Sequence, residues 1–183
     1  MKEISSVKRI IWCAVCVALC YVLPVAFHAV GLGTVLSPMH IPVLLCGLVC
    51  GGFYGAVCGV FGPILSSVLS GMPPAAMLVT MIPELLVYGL TAGLCIRFLR
   101  LKNEAISLYT ALALAMLLGR VAGGIAKMLF YMGSGQSFTL AIWVSSYFVT
   151  AVPGIICHLI LVPVLYFTLK KARVLPQGCT VGA

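Results

Sequence analysis

Residues 41–69 read IPVLLCGLVCGGFYGAVCGVFGPILSSVL, without one charged side chain. A membrane-spanning helix needs about 17 to 25 mostly apolar residues, so this run is too long for one straight span. Gly51 and Gly52 interrupt it near the middle, and a glycine pair favours a turn. The run therefore predicts two short helices, over about residues 41–51 and 53–70, which either cross a membrane or re-enter it from one side.

The rest of the chain contains four more apolar runs of spanning length. Hydrophobic residues make up 63% of the chain and charged residues 8%, whereas a soluble domain carries roughly 25% charged residues. Pro153 and Pro163 are expected to kink the last helix. We therefore predict an all-α, polytopic membrane protein, a six-transmembrane-helix bundle in a single domain over residues 1–183, with helices at about 10–27, 41–51, 53–70, 75–99, 105–130 and 138–169.

Basic residues indicate the orientation of these helices. They form three clusters separated by even numbers of predicted helices, and basic clusters favour the cytoplasmic side of a membrane. Topology therefore explains the net charge of +8 better than nucleic-acid binding does. Both termini are predicted to be cytoplasmic, and loops 28–40, 71–76 and 131–138, which lack Lys and Arg, to be outside. The clusters are Lys2, Lys8 and Arg9; Arg97, Arg100 and Lys102; and Lys170, Lys171 and Arg173.

Eight of the nine cysteines lie inside apolar stretches. Cys16 and Cys20 share a helix face, as do Cys46 and Cys50, but no His or carboxylate accompanies either pair at the spacing of metal ligands. An odd number of cysteines also argues against a disulfide framework. We interpret the cysteines as small hydrophobic residues that pack between helices.

Small residues recur at every fourth position in several predicted helices. This spacing lets helix backbones approach closely in lipid, and we expect most of these residues to pack helices of the same chain together. They are Ala14 and Ala18; Gly47, Gly51, Gly55 and Gly59; Gly89 and Gly93; and Ala111, Ala115, Gly119 and Gly123.

Charged side chains inside a membrane are costly and are usually functional. Glu84 and Arg120 are expected at similar depth in the outer half of the bundle, with Lys127 on the same helix face as Arg120. One interpretation is a structural ion pair between Glu84 and Arg120. The other is a polar pocket open to the outside, which suits a solute that carries a carboxylate or phosphate together with hydroxyl or amide groups. Tyr88, Tyr131, His28 and His40 lie near this pocket, and His158 is interpreted as a core histidine.

Motifs of energy conversion and catalysis are absent from the sequence. It contains neither the G-x-x-x-x-G-K-[ST] loop that binds nucleotide phosphates nor the H-E-x-x-H motif of zinc proteases. A repeated pore motif, which an ion channel needs for its filter, is not apparent either. The chain is therefore predicted not to be an enzyme and to hold no metal or cofactor.

Three stretches of the sequence carry a resemblance to a known family. Residues 37–47 (SPMHIPVLLCG), 62–74 (GPILSSVLSGMPP) and 83–90 (PELLVYGL) resemble the substrate-capture S components of energy-coupling factor (ECF) transporters. The resemblance implies a six-helix subunit in the cell membrane that binds a vitamin or related micronutrient at its outer face. It also implies a transmembrane coupling subunit and two ATPase subunits as partners.

The resemblance further implies roles for individual residues. Ala14 and Ala18 match two positions of an alanine repeat that meets the coupling subunit, whereas Val22 departs from that repeat. The outer loops are expected to gate the binding site. The implied substrate-binding residues are His28, Met39, His40, Glu84, Tyr88, Arg120, Lys127 and Tyr131.

The identity of the ligand stays open at this point. Two basic residues near one carboxylate favour an anion, and pantothenate fits, while a vitamin B12 precursor such as α-ribazole, folate and a queuosine precursor are alternatives. A stand-alone secondary transporter or channel for a small organic solute is a second hypothesis for the function, and a membrane enzyme or scaffold is a third. Uptake driven by an ion gradient would favour the second hypothesis, and a product formed from the ligand would favour the third.

Overall fold

The computed structural model shows long helices that alternate in direction along the chain. It describes residues 6–29, 31, 37–99, 103–133, 143–145, 151–172 and 174–175. Five of the helices in the described residues are long and apolar enough to cross a membrane, and the helix at His40–Cys50 is shorter. The prediction of an all-α, polytopic bundle is therefore confirmed. These helices are α1 (Ser6–Ala29), α2 (His40–Cys50), α3 (Gly52–Ser70), α4 (Ala75–Phe98), α5 (Glu104–Gly133) and α6 (Val152–Lys171).

A tight hairpin of α2 and α3 forms the centre of the fold. Gly51, between the two helices, has a φ of +97°, which L side chains rarely adopt. The two helices then lie against each other so closely that a Cβ on Gly55 would be 2.6 Å from the Cα of Gly47. The same Cβ would be 2.5 Å from the carbonyl oxygen of Gly89 in α4. The glycine spacing therefore serves packing within the chain, as predicted.

The short helix α2 is enclosed by protein on all sides. Each of its eleven residues is buried, and its start at His40 contacts the middle of α4, where Tyr88 lies. Since α2 runs parallel to α4 from this level, it occupies only part of the depth of the bundle. Its neighbours instead present large apolar side chains outward, as lipid-facing helices do. These include Val7, Phe53, Phe61, Val68, Phe98 and Leu129.

One end of the bundle collects basic side chains, and we call it the basic end. The Nζ of Lys170 in α6 lies 2.6 Å and 2.5 Å from the two carboxylate oxygens of Glu104 at the start of α5. Ser107 Oγ donates a hydrogen bond of 2.6 Å to the carbonyl of Leu99, which follows α4. The basic end includes Lys8, Arg9, Arg97, Lys170 and Lys171, whereas Lys2, Arg100, Lys102 and Arg173 lie outside the described residues.

The helix boundaries differ most from the prediction at α6. It begins at Val152 rather than at residue 138, and Pro153 lies in its first turn, where proline fits because no helical hydrogen bond needs its missing N–H. Pro163 remains inside the helix, as expected. Of the predicted range before Val152, residues 143–145 are helical, and residues 138–142 and 146–150 lie outside the described residues.

Candidate functional site

Glu84 is the centre of a buried polar layer in the middle of the bundle. This layer consists of His40, Glu84, Tyr88, Arg120 and His158. Glu84 lies on α4, and only 7% of its surface is exposed. Its Oε1 accepts a hydrogen bond of 3.0 Å from the hydroxyl of Tyr88, one helical turn later on the same face. The Nε2 of His40, at the start of α2, lies 3.7 Å from the same oxygen. A carboxylate is thus held deep in an apolar bundle by a phenol and an imidazole.

The carbonyl group of Ser37 connects this layer to α6. It accepts the backbone N–H of His40 at 3.1 Å, and it lies 3.0 Å from His40 Nδ1 and 3.3 Å from His158 Nε2. The two imidazole rings stack with their centroids 5.4 Å apart. Both ring nitrogens of His40 therefore lie near oxygen atoms, with the Glu84 carboxylate on one side and the Ser37 carbonyl on the other.

Two glycines of α5 leave room for the side chains of α4. A Cβ on Gly123 would lie 3.0 Å from both Cβ and Oε2 of Glu84, and a Cβ on Gly119 would clash with the ring of Tyr88. Arg120 lies between these glycines and is 6% exposed. The glycine positions therefore bring Arg120 to the depth of Glu84 and Tyr88, as the sequence predicts.

The two oxygens of the Glu84 carboxylate differ in their surroundings. Oε1 accepts the hydrogen bond from Tyr88 and faces His40. No hydrogen bond from the described residues reaches Oε2, which points towards the backbone of α5 at Gly123. The layer therefore contains an acceptor to which a bound molecule can donate.

The structure brings some of the predicted site residues together and separates others. His40, Glu84 and Tyr88 are in contact, and Arg120 is at their level. Met39 is buried beside His40, and its carbonyl group lies 3.8 Å from the Sγ of Cys20. Lys127 and Tyr131 follow Arg120 on α5 and are half-buried, whereas His28 is exposed at the end of α1.

The ion pair that the sequence suggested for Glu84 is wrong in its partner. Among the described residues, the basic side chain within 4 Å of the Glu84 carboxylate is that of His40 and not that of Arg120. The rotation of α5 explains the difference, because it presents Gly119 and Gly123 to α4. The backbone of α5 at these two glycines therefore lies against the side chains of Glu84 and Tyr88, in the space that a longer side chain would need.

His158, which the sequence analysis interpreted as a core histidine without assigning it to the site, also belongs to this layer. It is 1% exposed and its Nε2 lies 3.3 Å from the Ser37 carbonyl, as in a core histidine with a hydrogen-bond partner, and its ring also stacks on that of His40. The rule that singles out ionisable residues within spans, applied evenly, would have found it. The described residues contain no group of three His, Cys, Asp or Glu side chains that could hold a metal ion.

A comparison with protein families decides what kind of protein carries this layer. A family model described as "ECF transporter, substrate-specific component" matches residues 8–166, which include every residue of the polar layer. The chain belongs to this family. No curated protein and no solved structure gives a significant match.

As a substrate-specific component, the chain is a multi-pass membrane subunit of an ECF transporter. Subunits of this kind are parts of a transporter and not enzymes, and they associate with ECF coupling and ATPase modules. Their task is to bind a small-molecule substrate. The polar layer around Glu84 is the candidate site for that task in this substrate-specific component.

Proposed function

We propose that this component binds a water-soluble vitamin or related micronutrient that carries an anionic group and hydrogen-bond donors, for example pantothenate. It receives the ligand at its outer face and delivers it inward together with the transmembrane coupling subunit and two ATPase subunits. The observation that carries the proposal is the buried Glu84 carboxylate, held by Tyr88 and His40 within a membrane bundle. Such groups are expensive in lipid, and a ligand site is their usual reason.

The charges of the proposed site favour an anionic ligand. Arg120 and Lys127 contribute two fixed positive charges, and His40 and His158 add two imidazoles to the same part of the bundle. Glu84 contributes one negative charge, while Glu104 is at the basic end with Lys170. A guanidinium group can bind a carboxylate or phosphate through two parallel hydrogen bonds. We therefore assign the anionic group of the ligand to Arg120, with Lys127 and Tyr131 closer to the entrance.

The Oε2 atom of Glu84 defines a second requirement on the ligand. Because this oxygen accepts no hydrogen bond from the described residues, a hydroxyl or amide N–H of the ligand can donate to it. Pantothenate combines a carboxylate with both kinds of donor. A ligand with an anionic group and no donor would leave the carboxylate oxygen unsatisfied, which costs about 1–3 kcal/mol.

The proposed orientation places the polar layer on the outer side of the basic end. Lys8, Arg9, Arg97, Lys170 and Lys171 are at the basic end, and such residues favour the cytoplasm. Lys127 and the start of α6 are then at the outer end, so the ligand enters there. Both termini are cytoplasmic in this arrangement. Of the three loops proposed as gates, 71–76 is described in full, whereas residues 30 and 32–36 of loop 28–40 and residues 134–138 of loop 131–138 lie outside the described residues.

Gly123→Ala should weaken ligand binding while the protein stays folded. The added methyl group would lie 3.0 Å from Oε2 of Glu84, so it would cover the acceptor that we assign to the ligand. We expect Kd to rise about tenfold, which is the loss of one hydrogen bond of roughly 1.4 kcal/mol. Calorimetry with pantothenate on the detergent-purified protein measures the change. Ala113→Val, at an exposed position of the same helix away from the polar layer, is the control.

Exposed alanines on α1 should control partner binding independently of the ligand. Ala14 and Ala18 face outward, so leucine at both positions would hold a second helix away from the α1 backbone. We expect the double variant to bind ligand normally and to lose co-purification with the coupling subunit. The control is Ala113→Leu, which makes the same change at an exposed alanine of α5 instead of α1. Normal assembly of the double variant would show that this face of α1 is not the contact.

The proposed function as a whole has a direct test. Mass spectrometry of small molecules released from the purified chain should find one anionic micronutrient, bound without nucleotide. Uptake of that compound into vesicles should require the coupling subunit and the ATPases. Uptake by this chain alone, driven by an ion gradient, would overturn the proposal in favour of a stand-alone transporter.

A further inference from the structure

Six cysteine side chains meet where α1 packs on the α2–α3 hairpin. They come from three different helices, all six are buried, and all are free thiols. None of them takes part in the polar layer around Glu84. The six are Cys13, Cys16 and Cys20 of α1, Cys46 and Cys50 of α2, and Cys58 of α3.

Two of these thiols face each other directly. The Sγ atoms of Cys20 and Cys58 lie 3.9 Å apart, and neither residue has any exposed surface. The helices are in close contact at this point, because a Cβ on Gly62 would be 2.9 Å from both Cβ and Sγ of Cys20. By contrast, Cys13 and Cys46 each direct the thiol to the carbonyl of Tyr54, at 3.5 Å.

We infer that Cys20 and Cys58 are an oxidisable pair that forms a reversible disulfide between α1 and α3. The sulfur atoms must approach from 3.9 Å to about 2.0 Å. Rotation about the two Cα–Cβ bonds changes the distance between the sulfur atoms, and the close contact of the helices at Gly62 keeps the two side chains together. The product joins residues 38 positions apart in sequence.

The chemistry of the surroundings favours a disulfide over a metal thiolate. Thiolate ligands would bring negative charge into an apolar helix interface, which is costly inside a membrane. A disulfide is neutral, as are the two thiols that form it. The described residues also contain no group of three side chains suited to a metal ion.

The oxidant of this reaction is a small neutral two-electron acceptor that dissolves in the bilayer, such as a quinone. Each thiol loses one hydrogen atom, an S–S bond forms, and the quinone takes up two electrons and two protons to become a quinol. Charged, water-soluble reagents have no access to sulfurs this deeply buried, which accords with the low reactivity of buried thiols in general. Because neither sulfur is exposed in the folded protein, the oxidant reaches the pair from the bilayer when the interface between α1 and α3 opens locally.

The test uses diamide, a neutral azo compound whose N=N bond is reduced to a hydrazine as two thiols become a disulfide. The folded wild-type protein is oxidised in lipid vesicles, and remaining thiols are then blocked with N-ethylmaleimide in denaturant. Trypsin cannot separate the two cysteines, since no Lys or Arg lies between residues 10 and 96. Cleavage after methionine with cyanogen bromide does, because Cys20 falls in fragment 2–39 and Cys58 in fragment 40–72.

We expect the two fragments to be linked, with a mass two hydrogens below their sum, and to separate on reduction. Tandem mass spectrometry should place the link at Cys20 and Cys58. Cys16→Ala, a buried cysteine on the same helix, should still give the link, and Cys20→Ala and Cys58→Ala should abolish it. Unlinked wild-type fragments at every diamide concentration, or a link that maps to Cys13 and Cys46, would overturn the inference. The result does not depend on the ligand or on the transport function.

Discussion

Arg120→Ala should raise the Kd for the ligand by roughly ten- to 150-fold, the equivalent of about 1.5–3 kcal/mol for a charge-assisted hydrogen bond. Arg120 is buried at the depth of Glu84 and Tyr88, so its charge acts where little water screens it. Its loss removes the proposed partner of the ligand's anionic group. Calorimetry with pantothenate, or with the compound that co-purifies with the chain, measures the effect.

Two further variants distinguish a role in binding from a role in folding. Arg120→Lys keeps the charge but not the two-pronged geometry, so it should recover only part of the affinity. Lys171→Ala removes an exposed positive charge at the basic end and should leave affinity unchanged. Size-exclusion profiles report whether each variant is folded. A folded Arg120→Ala protein with wild-type affinity would refute the assignment of Arg120 to the site.

Gly55→Val should be the most destabilising substitution considered for this chain. A Cβ at this position meets backbone atoms of two other helices, 2.5 Å from Gly89 O and 2.6 Å from Gly47 Cα. Backbone cannot rotate away as a side chain can, so α2, α3 and α4 must separate. We expect a loss of about 3 kcal/mol or more, the upper range for overpacking, seen as a large fall in thermal stability in detergent.

The matched control is Gly133→Val, at the end of α5. A Cβ there meets nothing within 4 Å among the described residues, so this variant adds the same isopropyl group without a collision in that part of the chain. It should melt close to the wild-type temperature. If Gly55→Val also melts there, the close contact of the three backbones is not a feature of the folded protein.

Much of the fold could be predicted because it depends on local properties of the sequence. The length of each apolar run gave the helices, and Gly51 marked the hairpin. The spacing of Gly47, Gly55 and Gly89 gave the close packing. By contrast, the start of α6 could not be read from hydrophobicity, since the apolar run continues across it. There the proline at position 153 begins a helix instead of kinking one.

The sequence predicts the level of the polar layer along the bundle axis, but it does not predict which side chains of the layer contact each other. Counting residues along α4 and α5 placed Glu84 and Arg120 at one level, because the rise per residue is fixed. The partner of Glu84 depends on the rotation of α5 and on the point where α2 begins. Neither is a local property, so the pairing with His40 and the carbonyl bridge from Ser37 to His158 emerged only in three dimensions.

The enclosure of α2 by protein has a consequence for how the chain is made. Its eleven residues form a rod of about 16 Å, too short to be held across a bilayer by lipid alone. As the ribosome delivers the chain, α2 has its final neighbours only after α4, α5 and α6 have followed it into the membrane. His40, at its first residue, is therefore among the last side chains to reach its place. The chain therefore completes its folding and becomes able to bind its substrate in the same step.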